Sequence, residues 1–232
     1  MGITNELKEH AAGSGADLVG IAALLRFRDY PAIPGGLLEP YDFAVSMAVA
    51  LDPGVIDEID QLPTTKYADH YRTINQKLDS IAASVAGWIE ARGQKAYAVP
   101  ASAFADPERL MGHISHKAVA RMAGLGWQGK SLLIVTPEHG PRIRLVTVLT
   151  DMPLAPDSPL DNRCGDCTNC REACPAGAIR GVLPQGDYYR DRDEAIDLEA
   201  CNARTITNNG MPGIGARICG VCVRACPWGA ED

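Results

Sequence analysis

Residues 164–178 read CGDCTNCREACPAGA, four cysteines in fifteen residues, and residues 219–229 read CGVCVRACPWG, three more in eleven. The eighth cysteine, Cys201, stands between the two runs, and none precedes Cys164. The first run has the spacing C-x2-C-x2-C-x3-C and is followed by Pro175; the second has C-x2-C-x3-C and is followed by Pro227. Thiolates are soft, charged donors, and intervals this short let three of them converge on one centre before the proline turns the chain away. Residues 156–232 are therefore expected to be a small module organised around what its cysteines hold.

The first run matches the bacterial ferredoxin pattern, in which three cysteines bind one [4Fe-4S] cubane and the fourth, before proline, crosses to the other. Applied to this chain, one cluster takes Cys164, Cys167, Cys170 and Cys226, and the other takes Cys174, Cys201, Cys219 and Cys222. All eight cysteines are then used. Two zinc sites would use all eight as well, but zinc ribbons favour C-x2-C knuckles set far apart. Cys201 lies outside any tight motif, which leaves a [3Fe-4S] or labile second cluster as an alternative.

The rest of the chain has the character of a globular protein. Hydrophobic residues make up 46% and charged residues 22%, an ordinary balance for a packed domain. The formal net charge of -7 argues against a nucleic acid as the main partner. No apolar run reaches the roughly 18 residues a membrane span needs. The N-terminal MGITNELKEH carries Glu6 and Glu9 where a secretory signal would be basic and then apolar, so a cytoplasmic location is expected. That compartment is reducing and disfavours structural disulfides.

Periodicity predicts a helix over 3–13, buried strands over 16–24 and 41–51, and an amphipathic helix over 68–92 with Gly93 at its C-terminal cap. It further predicts a strand over 94–99 and a helix over 108–123. Residues 131–136 and 142–150 are expected to form a hairpin through PEHGP. Pro153, Pro156 and Pro159 suggest a linker. The division expected is an α/β domain over 1–155 and the cysteine module over 156–232.

No phosphate-binding glycine loop is present. GLGWQGKS, residues 124–131, fits neither common fingerprint. It reads either as a helix cap and turn with Trp127 as a core plug, or as a loop that contacts a ligand through Gly124, Gly126, Trp127, Gly129, Lys130 and Ser131. Its glycines suit positive φ or the close approach of another group. His113 and His116 are three apart, on one face of the predicted helix, and are candidate proton donors.

AGLGWQGKSLLIVTPEHGPRIRLVTVLTDMPL (residues 123–154), the cysteine runs ending CPW, and ADLVGIAAL near the N-terminus together resemble the epoxyqueuosine reductase family, from about Ala16 to Trp228. The resemblance implies a nitroreductase-like α/β domain holding base-off cobalamin, followed by a bacterial-ferredoxin-like domain with two [4Fe-4S] clusters that pass electrons to cobalt. It also implies a kinship in architecture with reductive dehalogenases, and that Gly124, Gly126, Trp127, Gly129, Lys130 and Ser131 lie against the corrinoid. Three departures modify the expectation. The family continues past CPW into a helical-repeat tail that engages tRNA, whereas this sequence stops at Asp232. The family's V-D-S-x-P stretch, whose aspartate donates a proton, corresponds here to VPASAFADPERL. Asp106 lies nearby but out of register, and stands beside His113 and His116 as a candidate. Finally, His116-Lys117 occupy the place where the family often has a glutamate and a basic residue. No D-x-H-x-x-G motif supplies a lower ligand to cobalt.

The expectation is thus an oxidoreductase: a cobalamin-dependent iron-sulfur reductase of a small, non-tRNA substrate, supplied by an external low-potential electron donor. Two alternatives stand beside it. One is a redox partner that reduces or handles corrinoid for another protein; the other is a ferredoxin-like carrier without substrate chemistry.

Overall fold

A computed structural model describes residues 2–28 and 30–230. The chain forms two compact units. One comprises Met1–Val49, Asn75–Leu125 and Arg144–Leu160, and the other Ala50–Ile74, Gly126–Ile143 and Asp161–Asp232. This interleaved division differs from the single cut expected between residues 155 and 156. Two stretches ahead of the cysteines fold with the cysteine module, because they supply its packing surface and its cations.

The first unit is built on a four-stranded sheet, ordered β1 (Leu18–Ala23), β2 (Phe43–Ala50), β6 (Ile143–Thr150), β3 (Ala96–Val99). β1 runs antiparallel to β2, with Leu18 opposite Ala48, and β3 antiparallel to β6, with Ala96 opposite Thr150. β2 is buried without interruption from Ala44 to Val49, as a strand covered on both faces must be. Helices α1 (Ile3–Gly13) and α4 (His116–Met122) pack on β1. Gly20 is required where β1 meets the end of α4, because a Cβ there would run into the Ala123 carbonyl. The helix α3 (Thr65–Glu90) buries Leu78, Ile81, Ala82, Val85 and Ile89 at helical spacing. Asp157 accepts hydrogen bonds from Lys8 Nζ at 2.7 Å and from the Ile21 N–H at 2.8 Å, tying the end of the unit to its first helix and strand.

Three sequence expectations change here. α3 begins at Thr65, three residues earlier than periodicity suggested. The helix expected from 108 shrinks to His116–Met122. Asp106 instead accepts from the Arg109 N–H at 2.9 Å, Asp106 and Met111 pair as a bridge, Leu110 adopts φ 52°, and Ser115 caps the helix by accepting from Ala118 N–H. A side chain that caps a backbone N–H competes with helix continuation, so the chain turns before it coils. The hairpin expected between 131–136 and 142–150 does not form. β5 (Ile134–Val135) pairs with β4 (Trp127–Gln128), and β6 pairs with β3. β4 comes from the stretch read as a turn.

The second unit holds α2 (Pro53–Asp57), the β4–β5 ribbon, α5 (Asn169–Ala173), α6 (Leu198–Asn209) and α7 (Val221–Arg224). α7 packs on α2 and α5. Leu132, Ile179, Tyr189, Ala195 and Ile196 form a buried apolar cluster. Among the described residues no helix is long and apolar enough to cross a membrane.

Candidate metal centre

None of the eight cysteines is in a disulfide, and each is half-buried. Cys164, Cys167, Cys170 and Cys226 line one pocket with Gly129, Lys130, Ser131, Val135, Pro227 and Trp228. Asn162 starts the ligand loop: its Nδ2 donates to the Gln128 carbonyl at 2.8 Å, and its Oδ1 accepts from the Cys164 N–H at 3.0 Å. The Lys130 ammonium then donates to the carbonyls of Gly165 at 2.7 Å and Cys167 at 3.1 Å. From the other side Arg142 donates to the carbonyls of Trp228 at 3.1 Å, and of Cys226 and Arg224 at 3.3 Å each. The backbones of Gly140 and Gly229 meet closely enough that a Cβ on Gly140 would strike the Trp228 carbonyl. Trp228 meets Trp127 edge to face, with ring centroids 4.9 Å apart.

The second set is held differently. Cys174, Cys201 and Cys222 pack, together with Cys170, against the apolar cluster around Tyr189. Cys174 Sγ accepts from the Ala178 N–H at 3.4 Å. Cys201 rides on α6, whose first turn is capped by Asp197 accepting from Ala200 N–H at 2.9 Å. The fully buried Asn208, at the other end of α6, donates from Nδ2 to the Ile218 carbonyl at 2.9 Å and so fixes the chain just before Cys219. Gln128, 2% exposed, accepts from the Tyr189 N–H at 2.9 Å.

Burial and neighbouring sulfur raise several of the thiols. Burial pushes the Cys226 thiol up to about 11, with further raising from Cys164, Cys170 and Cys167. Burial raises Cys170 too, aided by Cys164 and Cys167. Cys222 is raised most of all, by burial and then by Cys219, Cys201 and Cys174 ahead of Cys170. After burial, Cys226 and Cys170 are raised by members of the first set, and Cys222 by members of the second ahead of Cys170. Bare thiolates in such company are costly, and bound iron would reverse that logic by supplying cationic charge to four thiolates at once. Among the described residues no three or more His, Cys, Asp or Glu side chains are disposed to hold a single metal ion.

The sequence candidates in the glycine-rich stretch belong largely to this centre. Gly129, Lys130 and Ser131 face the first quartet. A Cβ on Gly129 would press on Val135 at 2.9 Å and stand 3.4 Å from Cys164 Sγ, and one on Gly126 would strike the Val135 carbonyl. Gly126 is thus required by the β4–β5 ladder. Trp127 is fully buried, as a core plug. Gly124 takes φ 72° just after α4, against the Ser158 carbonyl in its own unit. Gly126, Trp127, Gly129 and Lys130 make contacts with the ribbon and the first quartet.

The candidate proton donors are not gathered on one helical face. His113 lies before the helix and donates from Nδ1 to the Ile33 carbonyl at 2.8 Å. His116 opens α4. Its Nε2 donates to the Pro100 carbonyl at 3.1 Å, so its Nδ1 accepts from the Thr147 hydroxyl at 2.9 Å. Burial is the main cause that lowers its pKa to about 4, and the Pro100 carbonyl opposes it. His116 is neutral with both nitrogens engaged. Asp106 holds the turn described above. Arg142, Gln128, Asn162 and Asn208 escaped the sequence reading because each acts on backbone groups of distant loops; only the glycine at 140 beside PRIR hinted at a close approach.

The fold and centre define an iron-sulfur protein: residues 163–229 match the 4Fe-4S double cluster binding domain. In sequence the chain is similar to the epoxyqueuosine reductases. It is 30% identical over 184 residues to the epoxyqueuosine reductase of Aliivibrio fischeri, covering 74% of this chain and 44% of that protein. The chain thus spans less than half of that relative's length. Two solved structures share the fold. One is a reductive dehalogenase described for B12-dependent dehalogenation, with TM-score 0.73 and 23% identity over 97% of this chain and 31% of that one. The other is an epoxyqueuosine reductase with an epoxyqueuosine-modified tRNA-Tyr stem loop, with TM-score 0.62 and 23% identity over 97% of this chain and 64% of that one.

Proposed function

We propose that this protein is a cobalamin-dependent iron-sulfur oxidoreductase, in which two [4Fe-4S] clusters relay single electrons to a base-off corrinoid. The observation that carries the electron-relay part is the gathering of Cys164, Cys167, Cys170 and Cys226 around one pocket; the second proposed set is Cys174, Cys201, Cys219 and Cys222. The donor set fits cubane clusters, which take four thiolates each. The chain's own work is to hold the ligand loops: Asn162, Lys130 and Arg142 for the first quartet, and Asn208 and the α6 cap for the second. The clusters supply one-electron reduction when bound.

The corrinoid rests on the family resemblance and on the fold shared with a B12-dependent enzyme, in a nitroreductase-like α/β unit. The proposed contacts for it are Gly124, Gly126, Trp127, Gly129, Lys130 and Ser131, and the proposed proton donors are His113, His116 and Asp106. The substrate proposed is a small molecule, since a net charge of -7 disfavours a polyanion. A second reading, favoured by the tRNA stem loop bound to a relative of the same fold, is a tRNA-borne substrate. Cobalamin added to the anaerobically reconstituted protein tests the enzyme reading. Its spectrum should change to that of bound, base-off corrinoid, and dithionite should then reduce it through the clusters. A chain that carries iron and sulfide yet never alters the corrinoid spectrum would instead be an electron carrier. Retention of an epoxyqueuosine-bearing stem loop on a gel would favour the tRNA reading over the small molecule.

A further inference from the structure

The two quartets differ in the charge of what grips them. Lys130 and Arg142 are 8% and 3% exposed, and each donates to carbonyls of a different ligand segment of the same quartet. Lys130 holds Gly165 and Cys167; Arg142 holds Arg224, Cys226 and Trp228. The carboxylate facing Arg142 is that of Asp57, at 3.7 Å and 62% exposed, so water screens it. The second quartet is held by the Asn208 amide, the Ala178 N–H and the apolar cluster around Tyr189, which also touches Cys170; the cation on its approach, Arg72, donates to the Ile214 carbonyl at 2.7 Å but is 43% exposed and paired with Asp69 at 2.6 Å.

Reducing a cubane from the 2+ to the 1+ state adds one electron, with no bond broken and no proton required. A fixed cation beside the cluster stabilises the added charge, and does so strongly where water is excluded. A backbone or amide dipole does the same more weakly. We propose that Lys130 and Arg142 are positioning residues that make the Cys164–Cys167–Cys170–Cys226 cluster the higher-potential one, where an electron entering the module comes to rest.

This inference rests on the two-cluster reading, and the experiment separates the two. Iron and sulfide are first counted on the anaerobically reconstituted full chain; a count for one cluster defeats that reading before any potential is measured. The potentials are then read by electron paramagnetic resonance during titration with dithionite and mediators. The signal that changes in Cys226→Ser identifies the first quartet. It should appear at the higher potential in the wild-type protein. Lys130→Met should lower its reduction equilibrium constant about tenfold, about 59 mV for one electron, without moving the other signal. Lys130→Arg should restore most of the loss. If Lys130→Met cannot hold its iron, the wild-type order still decides. A first-quartet cluster at the lower potential, or a Lys130→Met shift that is absent or equal in both clusters, overturns the proposal.

Discussion

The two quartets hold equal numbers of thiols but are assembled by different means. The first is closed by long-range cationic grips, from Lys130 on β4's trailing loop and Arg142 ahead of β6, on loops that carry ligands from both ends of the module. The second is closed by one helix, α6, which presents Cys201 and, through Asn208, fixes the approach to Cys219. The contrast teaches that ligand spacing gives the donors, while their placement depends on which groups hold the backbone between them. A charged side chain can grip several carbonyls at once; an amide on a rigid helix fixes one.

The crossed ligand assignment is the part of this comparison most open to breakage. Cys174→Ser should cost the second-quartet cluster, although Cys174 belongs to the first run by position. Iron should fall by about half, as loss of one of two cubanes requires. Loss of the cluster bound by Cys164, Cys167 and Cys170 instead would show that the assignment is not crossed.

A backbone change should come next in size. Gly140→Ala places a Cβ at φ 54° against the Trp228 carbonyl, beside the segment that Arg142 holds. We expect a loss of at least about 2 kcal/mol, seen as a lower urea midpoint, with Cys226's cluster lost first. Asn208→Ala should strike the other quartet. It leaves the Ile218 carbonyl short of its buried partner at a cost of about 1–3 kcal/mol, and the cluster bound by Cys219 and Cys222 should bleach sooner in air. If the two variants damaged both clusters equally, the separate grips would not exist.

The smallest effect lies outside the cysteine module. Folded His116 binds a proton only below about 4, while the unfolded chain binds it below about 6.5. Between these values the unfolded state holds more protons, so acid destabilises the first unit and the contribution is complete above about pH 6.5. His116→Gln should flatten the dependence of the urea midpoint on pH between 4 and 6.5. An unchanged slope would mean that His116 is not held neutral.

Much of this was legible in sequence because it is local. The long helix and the buried run of β2 are such local signals: β2 falls within the stretch expected, and α3 is displaced by three residues at its start and two at its end. β4 was not legible, because two residues have no period and their strand character comes from pairing with Ile134 and Val135. The helix expected from 108 failed because Asp106 and Ser115 satisfy backbone N–H groups in turns, which apolar periodicity cannot register. The grips of Lys130, Arg142 and Asn208 were invisible for another reason. Their partners are carbonyls, which every residue owns, so the sequence marks only one side of each contact.

The most direct test of two crossed cubanes is the count of iron and acid-labile sulfide on the full chain, purified and reconstituted without oxygen. The account predicts about eight of each per chain. A plateau near four of each, or stoichiometric zinc with no sulfide, would contradict it.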